Sequence, residues 1–320
     1  MGIFDFFKRK TAAPEPKPQL KNSAAVTPPL TDKQYAEFAH QAAERVIKET
    51  CIPCLGITLE NGSPSIYDSK AGGLPYLPHN AEIPVDPDGR QMKMLAQINC
   101  SEISCPEDFP HKGILQFWLT PKWAWDSAKV VYYENIDDSL TEDDVRERIS
   151  DFPQDDSCCF PIEGEYKIRF AEGTASMSCC DRRLKALFCQ YFTELSGEYI
   201  SDPEDAPSEE VYNIFNAECE ERDDAFGSGH HLGGYGYSTQ FGSWDYDNYK
   251  QGSEINIHSD SAEVLLFQLD SDYGRLDFET RKHEWVKVMW GDAGVGRFSI
   301  SRADLKKRRF DKAWFSWDCS

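Results

Sequence analysis

The stretch GGLPY at residues 72–76, the run MLAQI at residues 94–98 and the segment GILQF at residues 113–117 together decide the fold. The first is a glycine turn. The second is an apolar strand with Gln one place before its last apolar residue, and the third begins with Gly and ends in an aromatic residue. Short aliphatic and aromatic runs bounded by turn residues predict buried β-strands.

The same order of segments returns later in the chain. GGYGY at residues 233–237 is followed by LLFQL at residues 265–269 and then by GVGRF at residues 294–298. A shared order of segments indicates an internal repeat, and loop insertions can absorb the different spacings. We therefore predict an α+β, β-rich fold, with mostly antiparallel sheets formed by two related halves and with flanking helices.

Composition separates a tail from a folded domain. Residues 1–30 hold the segment MGIFDFFKRK and a linker with five prolines, so we predict a flexible amphipathic tail there. Residues 31–320 have the apolar and aromatic content of a packed globule. Within them we predict a first half at 51–175, an acidic helical connector at 176–225 and a second half at 226–320.

Hydrophobic periodicity predicts the remaining secondary structure. Apolar residues recur at helical spacing over 31–48, 182–195 and 208–221. Further short apolar runs predict strands at 57–59, 129–134, 166–170, 262–269, 297–300 and 313–317.

The charge of the chain excludes one class of partner. The formal net charge is −21, and a field of that sign repels phosphate backbones, so we expect no nucleic-acid partner. The sequence contains no apolar run long enough to span a bilayer and no secretory signal at its start, so we predict a cytoplasmic protein.

Several separate motifs carry a family resemblance. They are SKAGGLPYLP at 69–78, LAQIN at 95–99, GILQF at 113–117, HLGGY at 231–235 with Gln240, LFQLDSD at 266–272, WGDAG at 290–294 and WDC at 317–319. In these motifs the chain resembles the bacterial YwqG-like family, a domain of unknown function, over about residues 50–320. The resemblance implies an α+β fold dominated by β-sheet, and it implies no activity.

Two groups of residues could hold a metal. Cys51 and Cys54 have the spacing of half a zinc site or of a dithiol, and His230 and His231 lie next to the second Gly-Gly turn. No second pair of ligands follows the cysteines at a suitable spacing, and neighbouring residues of a strand point to opposite faces. We predict no metal and no cofactor, with the eleven cysteines mostly free thiols.

The buried amides allow two interpretations. Gln97, Gln116 and Gln268 lie within apolar runs, where an amide must be hydrogen-bonded. Either each amide forms hydrogen bonds with backbone groups of the loops, or Gln97 and Gln268 line a cleft between the halves. The segment WGDAG at residues 290–294 also allows two interpretations, because its residues suit both a tight turn and a ligand platform.

The motifs favour binding over catalysis. We predict a non-enzymatic module that recognises a protein or small ligand through its glycine and aromatic loops, because no catalytic set of residues stands out. The candidate ligand-binding residues are Gln97, Gln268, His231, Gln240, Trp290 and Asp292. The alternative is an enzyme, hydrolytic for example, that uses Asp292, His231 and the glutamines in a cleft between the halves.

The first ten residues suggest a peripheral membrane contact. Ile3, Phe4, Phe6 and Phe7 precede a cluster of three basic residues, and aromatic residues beside basic ones suit an anionic membrane surface. We predict weak membrane binding through these four residues. The alternatives are a disordered tail or one that packs into a groove of the protein itself.

Overall fold

A long antiparallel pair of strands lies at the centre of the molecule. Strand β1 (Ile52–Asn61) pairs with strand β6 (Glu165–Ala175) from Ile52 opposite Ala175 to Asn61 opposite Tyr166.

The computed structural model describes residues 29–122, 125–149, 160–177, 181–226, 228–239, 256–273, 276–277, 282–283 and 286–319.

Eight further strands extend this pair on both sides. They are β2 (Lys70–Gly72), β3 (Lys93–Asn99), β4 (Ile114–Leu119), β5 (Ala128–Tyr133), β7 (His230–Gly233), β8 (Glu263–Asp270), β11 (Val295–Ser301) and β12 (Trp314–Asp318). The sheet order is β12-β11-β8-β7-β1-β6-β2-β3-β4-β5, and every pair is antiparallel. A separate hairpin consists of β9 (Leu276–Asp277) and β10 (Lys282–His283).

Helices pack beside the sheet. They are α1 (Asp32–Thr50), α2 (Glu142–Arg146), α3 (Arg182–Ser196), α4 (Glu209–Phe226) and α5 (Arg302–Lys306). Helices α1 and α3 meet where Tyr35 stacks on Phe192, and α3 meets α4 where Phe188 contacts Phe215. Among the described residues, no helix has both the length and the apolar character needed to cross a membrane.

The sheet curls around an aromatic core. The edge strands β5 and β12 approach each other, although they lie at opposite ends of the strand order. Phe117 of β4 stacks on Phe267 of β8 with ring centroids 4.6 Å apart, and Phe298 of β11 lies 4.9 Å from Phe117. These buried rings join both ends of the sheet into one core, which gives the fold most of its apolar burial.

The β-rich α+β class predicted from the sequence is confirmed. The predicted strand at 57–59 is part of the ten-residue strand β1, which lies at the middle of the sheet. Helix α1 ends at Thr50, before Pro53, and β1 is held in the sheet by β6 on one side and β7 on the other.

Two glutamines occupy matching places in the sheet. Gln97 is on β3 and Gln268 is on β8, and each strand is third from its end of the order. Gln97 Oε1 accepts the backbone N–H of Tyr76 at 2.7 Å, and Gln268 Oε1 accepts that of Tyr237 at 2.8 Å. Each amide therefore holds the chain three residues after a Gly-Gly turn.

The registers around these glutamines also match. In β3 the pairing with β4 skips Leu95, and in β8 the pairing with β11 skips Leu266. Each skipped residue lies two positions before the glutamine of its strand, Gln97 or Gln268. A β-bulge bends its strand, so both strands bend at the same distance from the amide.

Two glycines contact the edge strands closely. A Cβ at Gly113 would lie 2.2 Å from the carbonyl oxygen of Tyr133, and one at Gly294 would lie 1.9 Å from that of Asp318. Each glycine comes directly before an inner strand, β4 or β11, and each carbonyl ends the neighbouring edge strand. Only glycine fits at these two positions.

Replacement of Gln97 by Leu will destabilise the fold. The Gln97 Nε2 group donates to the carbonyl oxygens of Ile66 and Asp68, so the change leaves buried backbone groups without partners. We expect a loss of roughly 3 kcal/mol in the free energy of unfolding, measured by urea denaturation. The exposed Gln190, bonded to Glu194, is the control. If Gln97→Leu costs no more than Gln190→Leu, the amide does not hold the turn.

Candidate ligand-binding site

The second Gly-Gly turn is tightly enclosed by its neighbours. Gly233 and Gly234 have φ angles of 69° and 72°, in the left-handed region that favours glycine. A Cβ on Gly233 would lie 2.6 Å from Cγ of Pro106, and one on Gly234 would lie 3.2 Å from Cβ of Cys54. The turn therefore brings bare backbone against the start of β1.

A cavity of about 240 Å³ opens beside this turn. The turn forms one wall, and the first residues of β8 form another. Its polar and aromatic lining includes Arg183, Tyr235, His258, Glu263 and Arg302. A cavity of this size holds a small molecule, and convergent polar groups in an otherwise apolar wall are typical of ligand sites.

Arg183 enters the cavity wall from the start of helix α3. Asp181 caps the helix by accepting the backbone N–H of Arg183 at 2.9 Å. The same carboxylate accepts from Nε of Arg183 at 2.9 Å and from Nη2 at 2.6 Å, which is a bidentate pair. Both side chains are buried, and Nη1 of Arg183 has no hydrogen-bond partner among the described residues.

Tyr235 links the cavity to helix α1. Its hydroxyl donates to the carbonyl oxygen of Thr50, the last residue of that helix. Its ring lies 5.7 Å from the guanidinium carbon of Arg183. This aromatic side chain is 4% exposed, so it fixes the turn against the helices.

Glu263 supplies a carboxyl group to the opposite wall. Its Oε1 atom is buried and makes no hydrogen bond of regular geometry with the described residues. Burial raises the pKa of Glu263 to about 7, and the nearby Ser299 hydroxyl and the Arg183 guanidinium act in the opposite direction. A buried carboxyl group with so little hydrogen bonding is costly for the fold, which points to a role other than stability.

Arg302 closes the cavity from helix α5. It forms an ion pair with Asp108, and its Nη2 donates to the carbonyl oxygen of Ile257 at 3.1 Å. Its Nε is buried and has no hydrogen-bond partner among the described residues. Glu107, next to Asp108, also lines the cavity.

The predicted amide residues lie elsewhere. Gln97 and Gln268 are fully buried, and both amides bond to loop backbone. This arrangement corresponds to the first of the two interpretations that the sequence left open. Neither glutamine lines the cavity beside Gly234.

The two histidines have separate partners. Nδ1 of His231 lies 2.9 Å from the carbonyl oxygen of Gly233, so this nitrogen carries the proton. Nδ1 of His230 accepts the backbone N–H of Asp270 at 3.0 Å. No group of three potential metal ligands occurs among the described residues. Gln240, predicted to bind a ligand, lies outside the described residues.

Trp290 and Asp292 lie on a tight turn. The backbone N–H of Gly294 donates to the carbonyl oxygen of Trp290 at 2.8 Å. The indole of Trp290 is fully buried and meets Trp125 edge-on at 5.1 Å, so it belongs to the core and offers no open stacking face. Asp292 is exposed, and neither of these residues lines a cavity beside a Gly-Gly turn.

A buried ion pair anchors the end of the chain. Nη2 of Arg297 donates to Asp318 at 2.7 Å, and the two side chains are 1% and 4% exposed. Asp318 also accepts from the Ser238 hydroxyl at 2.6 Å and from the backbone N–H of Thr239 at 2.9 Å. The network fixes the segment that follows the second Gly-Gly turn.

The first Gly-Gly turn has a cavity of its own. Its volume is about 500 Å³, and it is lined by Gly73, Leu74, Met92, Met94 and Trp118 together with several charged residues at its rim. Its floor is apolar, because the two methionines pack with the indole in a small separate cluster. The two Gly-Gly turns therefore border two separate cavities.

A comparison with family models matches most of the chain. The model described as a domain of unknown function, DUF1963, matches residues 69–319. The chain belongs to the DUF1963 family. A search of the curated proteins finds no match. The matched region of this DUF1963 domain contains both Gly-Gly turns and the residues Arg183, Glu263 and Arg302.

The sequence did not single out these three cavity residues of the DUF1963 domain. In the sequence, Arg183 is an ordinary charge in the first turn of a predicted helix, and Arg302 is a single charge shortly after the predicted strand at 297–300. Glu263 offered one signal, because it is an acidic residue placed directly before the apolar run of a buried strand. Such a position allows the side chain to turn back towards the interior, as it does here.

Proposed function

We propose that this protein is a non-enzymatic binding module that takes a small polar ligand into the cavity beside Gly233 and Gly234. The observation that carries the proposal is the buried carboxyl group of Glu263, whose Oε1 makes no hydrogen bond of regular geometry with the described residues and which has the neutral Ser299 hydroxyl beside it. A protein that gained only stability at this position would place an apolar residue there. The bacterial origin that the motif resemblance implies and the cytoplasmic location predicted from the sequence are both part of this proposal.

A small ligand fits the site better than a protein partner does. The cavity is concave, and its polar groups come from the Gly-Gly turn, α3, α5 and β8, which all converge on the same space. Protein partners usually bind flatter surfaces that bury large areas. The free Nη1 donors of Arg183 and the carboxyl group of Glu263 can fix the orientation of a compact molecule.

We propose that the fold arose by internal duplication. This origin supports the cavity beside Gly233 and Gly234 as the binding site. One unit would run from β1 to β5 and the other from β6 to β12, which moves β6 out of the first half at 51–175 predicted from the sequence and into the second. The leading strands are exchanged, because β1 pairs with β7 of the second unit and β6 pairs with β2 of the first. The matching glutamine contacts, bulges and close glycine contacts are consistent with this origin.

The two cavities would then be equivalent places that have diverged. Counting back from the matching glutamines, Met92 and Glu263 each lie five residues earlier in the chain, and each lines its own cavity. The apolar position of the first unit is a buried carboxyl group in the second. Leu74 and Tyr235, the residues directly after the two Gly-Gly turns, differ in the same way: the first is apolar, and the second carries a polar hydroxyl. Selection for binding accounts for this divergence, because stability alone favours Met.

A fragment screen by saturation-transfer NMR tests the proposal on the full chain. We expect fragments that carry a hydrogen-bond donor to bind the wild type, and we expect their signals to disappear with Glu263→Gln. Asp292→Asn is the matched control, because it removes a carboxylate of similar shape from the exposed turn. Loss of binding in Asp292→Asn but not in Glu263→Gln would place the site at the turn and reject the cavity.

The predicted membrane contact through Ile3, Phe4, Phe6 and Phe7 remains a proposal, because these residues lie outside the described part of the chain. Vesicle sedimentation at low salt tests it, with anionic vesicles, the full chain and a chain that starts at Thr31. We expect the full chain to pellet more. Equal pelleting of the two proteins would remove the membrane contact.

A further inference from the structure

The charges in the cavity wall do not balance. The guanidinium of Arg183 is neutralised by Asp181, and that of Arg302 is paired with Asp108. Two carboxyl groups of the lining are left over, Glu107 and Glu263. The whole chain, with a net charge of −21, adds a field of the same sign.

The buried carboxyl group has no charged hydrogen-bond donor among the described residues. Oε1 of Glu263 makes no hydrogen bond of regular geometry there, the Ser299 hydroxyl that lowers its pKa is neutral, and the guanidinium of Arg183 makes three contacts with Asp181. An ionised carboxylate in a low-dielectric site is stabilised most by a cation that also donates hydrogen bonds.

We infer that the ligand carries a cationic nitrogen, an ammonium or similar group, which binds the Glu263 carboxylate inside this cavity. The inference rests on the proposed function and names the chemical class of its ligand. The remaining groups suit the rest of such a molecule. Leu265 and Ile257 supply apolar contacts for a short carbon chain.

Binding of a cation will depend on pH through Glu263. The pKa of its carboxyl group lies at about 7, so most of the groups are protonated at pH 6 and ionised at pH 8. The charged groups that face it are Arg183, Asp181 and Arg297, and His258 lines the same cavity. Because only the ionised form attracts a cation, affinity will rise several-fold from pH 6 to pH 8.

Three probes of equal length test the inference on the full chain. They are n-butylamine, butyrate and butyramide, which present a cation, an anion and a neutral amide on similar carbon chains. In NMR titrations at pH 8 we expect n-butylamine to bind the wild type at least about tenfold more tightly than the other two, and to lose about tenfold in Glu263→Gln. The rise in affinity with pH will disappear in Glu263→Gln and remain in His258→Asn.

The outcomes separate the inference from the function on which it rests. Tighter binding of butyrate or butyramide in the cavity would overturn the cationic ligand and leave the binding function standing. Absence of binding by all three probes, or equal binding by wild type and Glu263→Gln, would overturn both. A pH dependence that disappears in His258→Asn would assign the effect to that imidazole and overturn the role of Glu263.

Discussion

Replacement of Asp318 by Asn will lower the free energy of unfolding by about 3–5 kcal/mol, the usual result of removing one partner of a buried ion pair. The substitution keeps the shape of the side chain but removes the carboxylate charge that is paired with the Arg297 guanidinium, which is 1% exposed. It also weakens the hydrogen bonds from Ser238 and Thr239. Urea denaturation at neutral pH measures the loss.

Glu60→Gln is the matched control for this prediction. Glu60 accepts from Nε of Arg169 at 2.9 Å, but both side chains are about half exposed, so the same chemical change should cost less than about 1 kcal/mol. If Asp318→Asn costs no more than Glu60→Gln, the buried network does not anchor the end of the chain.

The pH dependence of Asp318→Asn follows from the lowered pKa of Asp318. Burial alone raises this pKa, but the charge of Arg297 and the donors around the carboxylate outweigh burial and hold it below its ordinary value. The folded state therefore binds this proton less readily than the unfolded state does. The stabilisation is present above about pH 4 and is lost as the pH falls further, so the difference between wild type and variant will shrink in acid.

Glu263→Met will have the opposite effect and will stabilise the protein at pH 8. Met stands at the corresponding place before β3, and the change removes a buried carboxyl group whose Oε1 makes no hydrogen bond of regular geometry with the described residues. We expect a gain of about 1–3 kcal/mol in the free energy of unfolding, together with loss of ligand binding. Glu37→Met, on the exposed face of α1, is the control and should change the stability little.

The gain from Glu263→Met will depend on pH in a defined direction. The pKa rises from an ordinary value of 4.5 to about 7 on folding, so the unfolded chain releases this proton first as the pH rises. Wild-type stability therefore falls between about pH 4.5 and pH 7, by roughly 3 kcal/mol at most, and is level above that range. An equal gain at pH 4 and pH 8, or a loss at both, would contradict the account of Glu263.

Local signals in the sequence were enough to predict much of the sheet. The runs around Gln97 and Gln268 became strands β3 and β8, because a short apolar run with turn residues on both sides has few other ways to bury itself. The repeated order of segments in the sequence also indicated the two Gly-Gly turns. The central position of β1 could not be predicted, because it depends on pairing with residues more than one hundred positions away.

The cavity was harder to predict than the sheet. Its polar residues Arg183, Glu263 and Arg302 come from three separate segments, and none of them belongs to a spaced motif. Trp290 was conspicuous in the sequence as an aromatic residue beside glycines, yet packing against Trp125 and Phe315 places it in the core. Residue types alone do not distinguish a buried indole from a binding surface, since both need an aromatic residue near flexible backbone.

Crystals of the full chain soaked with the fragments that bind in solution at pH 8 give the most direct test of the binding site. We expect difference density in the cavity beside Gly233 and Gly234, with a nitrogen of the fragment within hydrogen-bond distance of the Glu263 carboxylate. Crystals of Glu263→Gln should show no such density. Fragments seated on the Trp290–Gly294 turn instead, with the cavity empty in both proteins, would contradict it.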